Sequence, residues 1–296
     1  MIFDSTATEL ATDDALADFL NRFEQCAIPK EEWTHAAHLA MAGAHLLTKP
    51  LDEALDAARL GIKRFNRHHG GDPSKCHESL TRFWVYLCHA FLQERGLAGA
   101  EAARALVGEF GRKSDLFRDY YSYDVVRSER ARTAWEAPDR QALPAAWRKD
   151  GMLISTNPRL LHLDTIHTFL STTYWAQGIP KETVAKGLRN SVAFGVYKGP
   201  NQIGVARVIT DLTTFGYLAD VFVMEEERGR GVSKWLMECV MHHPSLLGFR
   251  RWMLVTRDAQ GLYNKYGFRV VEHPERWMEI ARPGLYKQNT NCNIID

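Results

Sequence analysis

A glycine-containing turn between a predicted strand and a predicted helix constrains the fold of this chain most. The turn, residues 228–234, reads RGRGVSK. The segment before it, 217–223, is rich in the β-branched and aromatic residues that favour strands. After the turn, Val232, Leu236 and Val240 recur every four residues, as on one face of a helix. Such a turn presents backbone N–H groups and two arginines at a helix start, so we expect a diphosphate site here.

Two familiar phosphate-binding motifs do not fit this turn. A P-loop needs two glycines five residues apart followed by Lys and Ser or Thr, whereas Lys234 lies three residues after Gly231. A dinucleotide fingerprint needs a third glycine where Lys234 stands. The remaining pattern is Arg-x-x-Gly-x-Ser, and its alternative interpretation is an ordinary tight turn with solvated arginines.

A second segment downstream favours the phosphate site. Residues 251–256 (RWMLVT) read as a buried strand, and 258–268 (DAQGLYNKYGF) read as a short helix that carries tyrosine and ends in Gly-Phe. The two segments, in this order, resemble the acetyl-CoA motif and the tyrosine helix of GCN5-related N-acetyltransferases (GNAT). Ser233 replaces the family's Gly or Ala, and Asp258 stands where the family often has Asn.

The resemblance covers about residues 150–285 and implies a GNAT α/β sandwich with a central mixed sheet. Alternation of strands and helices in this span agrees with that fold. We expect helices near 164–174 and 180–189 and from Gly231, and a short helix to Tyr266. The strands are expected at 152–156, 192–198, 202–211, 217–223 and 251–256, with closing strands near 269–271 and 277–280.

The resemblance also implies the residues of a cofactor site and a catalytic pair. Tyr263 would be the general acid that protonates the CoA sulfur, with Tyr266 as the competing candidate. Asp220 would be the base, or else a structural hydrogen-bonding residue, and Glu225–Glu227 are interpreted as a solvated loop. Acetyl-CoA would contact Val221, Phe222, Val223, Arg228, Gly229, Arg230, Gly231, Val232, Ser233, Lys234 and Asp258.

The acceptor would lie against the first two helices of this domain and the adjacent strand ends. Aromatic residues there indicate a small, partly apolar amine, although core packing explains them equally well. The candidate acceptor residues are Tyr174, Trp175, Arg207, Phe215 and Tyr217, with His167 in the same region.

The N-terminal half has a different pattern. Between residues 10 and 135, apolar residues recur at steps of three and four, which is typical of packed antiparallel helices. Asp72-Pro73 is predicted to begin the third helix, because an N-cap is often followed by proline. The segment 136–144 contains two prolines and no periodicity, so we predict a linker there. The chain is thus predicted to be α+β with two domains: an all-α helical bundle at 1–145, a GNAT domain at 150–285, and a tail at 286–296.

Histidines concentrate in the helical half. His35 and His38 fall on one helical face, and His77 precedes Glu78 near the start of the third predicted helix. Imidazoles from neighbouring helices can bind zinc or iron, but the Glu-x-x-His pattern of helical di-metal bundles is absent. We expect no metal and interpret these histidines as a bundle face that makes hydrogen bonds or as a polar pocket, with a metal at His35, His38 and His77 as the alternative.

Composition restricts partners and compartment. A formal net charge of +1 does not favour nucleic acid, and no apolar stretch reaches membrane-spanning length. Five scattered cysteines and an N-terminus without a secretion signal predict reduced thiols in the cytoplasm. The oligomeric state stays open, and a homodimer is one possibility.

The expected function is acetyl transfer from acetyl-CoA to a primary amine of a small molecule, by direct attack in a ternary complex. One alternative is a CoA-binding sensor with weak turnover. Another is a bifunctional chain whose helical half binds a metal, and acylation of a protein or aminoacyl-tRNA is a third.

Overall fold

The computed structural model describes residues 10–282 and 284–286, so most of the predicted tail at 286–296 lies outside the described residues. Contacts divide the chain into two compact units, Met1–Arg148 and Lys149–Asp296. The described part contains no helix long and apolar enough to cross a membrane.

The N-terminal unit is helical, as predicted. Its core is a cluster of apolar side chains that includes the fully buried Phe23 and Phe83. Thr12 and Thr34 cap helix starts with their hydroxyl groups, which accept otherwise unpaired backbone N–H groups. The α-helices are α1 (Asp13–Glu24), α2 (His35–Thr48), α3 (Leu51–His68), α4 (Glu78–Arg95), α5 (Gly99–Phe110) and α6 (Glu129–Thr133), with 3₁₀ turns at Lys30–Glu32, Pro73–Lys75, Leu116–Asp119 and Val125–Arg127.

The third helix predicted from the sequence is α4 in the structure, and its predicted start at Asp72-Pro73 is wrong. Asp72 caps only the 3₁₀ turn Pro73–Lys75, and the chain is extended at Cys76. Helix α4 begins at Glu78, because the Nδ1 atom of His77 accepts the backbone N–H of Leu80 and takes the capping role. The predicted linker 136–144 packs on the helical unit, where Leu143 is fully buried.

The C-terminal part contains a mixed six-stranded sheet in the order β1-β2-β3-β4-β5-β6. The pairs from β2 to β5 are antiparallel, whereas β5 and β6 are parallel. The strands are β1 (Ala146–Lys149), β2 (Met152–Ser155), β3 (Val192–Lys198), β4 (Asn201–Thr210), β5 (Phe215–Val223) and β6 (Arg251–Met253).

Helices cover this sheet in the predicted sequence order. The α-helices are α7 (Leu163–Leu170), α8 (Lys181–Arg189), α9 (Val232–Met241) and α10 (Gln260–Tyr263), with 3₁₀ turns at Pro158–Leu160, Glu225–Glu227, Asn264–Tyr266 and Pro274–Arg276. Phe169 of α7 stacks on Phe222 of β5 with ring centroids 3.8 Å apart. Helix α9 buries Val232, Leu236 and Val240, which confirms the predicted apolar face.

The two closing strands predicted near 269–271 and 277–280 are wrong for the described residues, which form no strand there. Pro274 begins a 3₁₀ turn between them, and Val270, Met278 and Ile280 are each more than 85% exposed. Strand β6 also ends at Met253, three residues early, and the Thr256 hydroxyl then accepts the N–H of Ala259 in a turn.

Candidate functional site

The predicted phosphate turn joins β5 to α9. Gly229 and Gly231 have φ angles of 76° and 83°, which glycine adopts without the steric cost of other residues. Gly231 is the N-cap of α9, and no side chain caps this helix. The first backbone N–H groups of α9 therefore lack both an intrahelical acceptor and a side-chain acceptor. A Cβ added at either glycine would meet no atom within 4 Å, so the space above the turn is open.

The two arginines of the turn have different contacts. Arg228 donates through Nε to the carbonyl of Val223 at 3.0 Å, and its Nη1 lies 3.2 Å from Oε1 of Glu225, so it fastens the turn to the end of β5. Arg230 lies 3.1 Å from Oε2 of Glu227, whose other carboxylate oxygen binds Lys198 at 2.8 Å. The description of Glu225–Glu227 as solvated is wrong for Glu227, whose side chain is 14% exposed.

Strand β5 has an open edge beside this turn. It pairs with β6 only over Phe215–Tyr217, and the described residues place no strand beside 218–223 on that edge. On the other edge, the register with β4 shifts between Val205 and Arg207, so β5 carries one extra residue. This β-bulge bends the strand and frees backbone groups near Val221 from regular pairing.

Asp220 lies at the bulge with φ of 52°, a left-handed conformation that is uncommon for a residue with a side chain. Its Oδ2 accepts a hydrogen bond from Nε of Arg207 at 2.7 Å, and both side chains are less than 20% exposed. Burial, followed by the Asp220 carboxylate, raises the pKa of the nearby Tyr217 phenol. The structure thus brings together three of the predicted residues.

Tyr263 lies at the end of α10 and is 8% exposed. Burial raises its pKa to about 12, and the Tyr174 phenol and the Asp258 carboxylate act in the same direction. The phenol therefore stays protonated at neutral pH and is suited to donate a proton. No described residue hydrogen-bonds to its hydroxyl.

Tyr174 and Trp175 form an edge-to-face pair beside Tyr263, with ring centroids 4.9 Å apart, and both are exposed. The guanidinium of Arg257 lies 4.1 Å from the centroid of the Tyr174 ring, a cation–π contact that sequence reasoning missed. Arg257 also lies 3.4 Å from Asp258. The sequence signal for Arg257 was its position directly before Asp258, a predicted cofactor contact.

Other candidates have structural contacts or lie farther away. The Tyr266 hydroxyl donates to the carbonyl of Lys234 at 2.7 Å and so ties its turn to α9. His167 Nε2 lies 3.0 Å from the carbonyl oxygen of Ile179. Phe215 is five residues before Asp220, and therefore roughly 16 Å away along the strand.

The histidines of the helical unit do not form a metal site in the described residues, where no group of three or more His, Cys, Asp or Glu side chains could hold a metal ion. His38 Nδ1 donates to the carbonyl of Thr34 at 2.7 Å, and burial lowers the pKa of His38 to about 4. His77 Nε2 lies 2.9 Å from the carbonyl oxygen of Val125, and the ring of His35 packs against Trp84.

Comparisons with known proteins identify the family of the C-terminal part of the chain. Residues 189–270 match the family model of the acetyltransferase (GNAT) domain. A Gibberella zeae protein named as an acetyltransferase is 34% identical over 145 residues, which cover 41% of this chain and 81% of that protein. A GNAT-family structure from Xanthomonas campestris is 48% identical, with a TM-score of 0.45 and coverage of 46% of this chain and 96% of that one. A Clostridium acetobutylicum acetyltransferase solved with acetyl-CoA is 14% identical, with a TM-score of 0.36 and coverage of 44% of this chain and 96% of that one.

The protein belongs to the GNAT family and is an acetyl-CoA-dependent N-acetyltransferase.

Proposed function

We propose that residues 150–285 acetylate a primary amine of a small molecule by direct attack on acetyl-CoA in a ternary complex. The observation that carries this proposal is the proximity of an uncapped, glycine-lined helix start to an open strand edge, within a unit that also holds a buried, protonated phenol. In this proposal the helix start would hold the diphosphate, the strand edge would hold the extended thioester arm, and the phenol would protonate the departing thiolate.

Binding of acetyl-CoA is assigned to the turn and the open edge. The N–H groups of Val232, Ser233 and Lys234 would donate to the diphosphate, where the helix dipole adds to their charge. Backbone groups of 221–223 would align the pantetheine arm and polarise the thioester carbonyl. Arg228 would act mainly by holding the turn, since its Nε is bonded to Val223.

The chemical step needs proton transfer at two atoms. Attack by the neutral amine on the carbonyl carbon forms the C–N bond, and collapse of the intermediate breaks the C–S bond. Tyr263 would give its proton to the sulfur. Asp220 would take a proton from the amine through Oδ1, because Oδ2 is bonded to Arg207. The strained backbone at Asp220 supports a functional role, since such strain concentrates at active sites.

Replacing Asp220 with Asn tests the base. Asn tolerates the left-handed conformation and can still accept from Arg207, so the fold should persist while the proton acceptor is lost. We expect kcat, measured from CoA release at saturating amine, to fall by about 10²-fold or more. The Tm should fall by only a few degrees, because the charge of the ion pair with Arg207 is lost while its hydrogen bond is kept. A fall of less than about threefold would show that the amine arrives neutral or uses water, and would leave Asp220 as a structural partner of Arg207.

We assign the acceptor to two groups of side chains, the ring pair of Tyr174 and Trp175 and the phenol of Tyr217 beside Arg207. Aromatic rings and one ion pair fit a small, partly apolar amine better than a highly charged polymer. Phe215 lies on β5 two residues before Tyr217, so we place it at the outer edge of this acceptor region. The four free cysteines among the described residues are buried, which fits a reducing cytoplasm as the location.

Two-substrate kinetics tests the ternary mechanism. Initial rates at varied acetyl-CoA and amine should give intersecting double-reciprocal lines, because both substrates must be bound before transfer. Parallel lines, which indicate an acetyl-enzyme intermediate, would contradict direct attack.

A further inference from the structure

A three-member ion network lies beside the phosphate turn. Lys198, the last residue of β3, binds Oε1 of Glu227 at 2.8 Å. Arg230 of the turn binds Oε2 of the same carboxylate at 3.1 Å. The Glu227 side chain is only 14% exposed, while those of Lys198 and Arg230 are 51% and 62% exposed. Two exposed cationic groups therefore converge on one anionic group.

Lys198 is separate from the parts already assigned to the diphosphate. It lies 29 residues before Glu227, at the β3–β4 turn, and contributes no backbone group to the glycine turn. A nucleotide bound through its diphosphate at the start of α9 would place its remaining anionic groups near the cations around that turn. The Lys198 ammonium adds a cation to those of Arg228 and Arg230, beside the exposed carboxylates of Glu225 and Glu226.

Coenzyme A carries such a remaining anionic group, the 3′-phosphate of its ribose. On the basis of the proposed acetyl-CoA site, we propose that Lys198 and Arg230 bind the CoA 3′-phosphate and that the Glu227 carboxylate holds these two cations together in the free protein. This assigns a specificity for CoA over its 3′-dephospho form.

Charge favours replacement of the Glu227 carboxylate by the CoA 3′-phosphate as the partner of the two cations. A phosphate monoester carries about −1.5 to −2 charges at pH 7 and three acceptor oxygens, whereas Glu227 carries one charge and two oxygens. In the free protein, Glu227 offsets the repulsion between the two cations. In the complex it competes with the phosphate, so its charge weakens CoA binding.

Titration calorimetry with CoA and 3′-dephospho-CoA tests this assignment. The wild-type protein should bind CoA at least about tenfold more tightly, the size of one charge-assisted contact. Lys198→Met should weaken CoA binding by about tenfold and leave dephospho-CoA binding unchanged, whereas Lys198→Arg should retain the preference. Glu227→Gln should tighten CoA binding a few-fold.

Lys186→Met, at an exposed lysine of α8, is the matched control and should bind both ligands like wild type. If Lys198→Met weakens the binding of both ligands equally, Lys198 contacts the diphosphate and the inference is overturned. If Lys198→Met changes the binding of neither ligand, the inference is overturned as well. If the wild-type protein binds neither ligand at millimolar concentration, the acetyl-CoA site itself fails.

Discussion

Leucine in place of Gly231 should abolish the rise in Tm that acetyl-CoA produces. The new side chain would enter the open space above the turn, where the diphosphate must approach the backbone. For wild type, ligand at 100 times Kd should add about 2.7 kcal/mol, or roughly 5–10 °C for a unit of this size. Differential scanning fluorimetry with and without acetyl-CoA measures the shift.

Gly248→Leu is the matched control for this substitution. Gly248 has φ of 81°, and a Cβ there also meets no atom within 4 Å, but it lies in the loop after α9. Both variants should lose about 1–2 kcal/mol because leucine is strained in the left-handed conformation. Only the Gly231 variant should lose the ligand response; an equal response in both would place the diphosphate elsewhere.

Removing the hydroxyl group of Tyr263 should reduce kcat by about 10²–10⁴-fold. The proton moves to sulfur only in the transition state, so Tyr263→Phe should change acetyl-CoA affinity little. Because the pKa of Tyr263 is about 12, its acid form persists across the accessible range, and any fall in wild-type kcat between pH 6 and 9 must come from another group. Steady-state kinetics and calorimetry separate the two effects.

Tyr266→Phe is the control for the neighbouring tyrosine. It removes a hydrogen bond to the Lys234 carbonyl and should cost about 1 kcal/mol of stability with kcat within a few-fold of wild type. A large loss of kcat at Tyr266 with none at Tyr263 would transfer the acid role to Tyr266. A Tyr263→Phe variant within about twofold of wild type would reduce that residue to packing.

Local sequence patterns predicted most of the fold because their signals are short-range. Apolar spacing located the long helices α3 and α4, and β-branched runs located β3, β4 and β5. The start of α4 was missed because two residues compete for the capping role, and His77 is a less familiar cap than Asp72. The closing strands were missed because strand formation depends on a partner edge, which no local pattern specifies.

The sequence predicted the parts of the candidate site that depend on local backbone geometry. It did not predict the ion pairs between residues that are far apart in the chain. Glycine spacing after a strand indicated the turn, and the structure adds the positive φ angles of its glycines. The ion pair between Arg207 and Asp220 joins residues 13 apart across a bulge, and that between Lys198 and Glu227 joins residues 29 apart. Such contacts follow from strand register, which the sequence of one strand does not reveal.

The most direct test of the account is amine-dependent release of CoA from acetyl-CoA. A panel of small aromatic and aliphatic amines would be assayed with the full chain, with free thiol measured and the acetylated product identified by mass spectrometry. We predict that at least one primary amine accelerates CoA release well above the amine-free rate and gains one acetyl group. Binding of acetyl-CoA without acceleration by any amine in the panel would contradict acetyl transfer to small amines and favour a CoA-binding sensor.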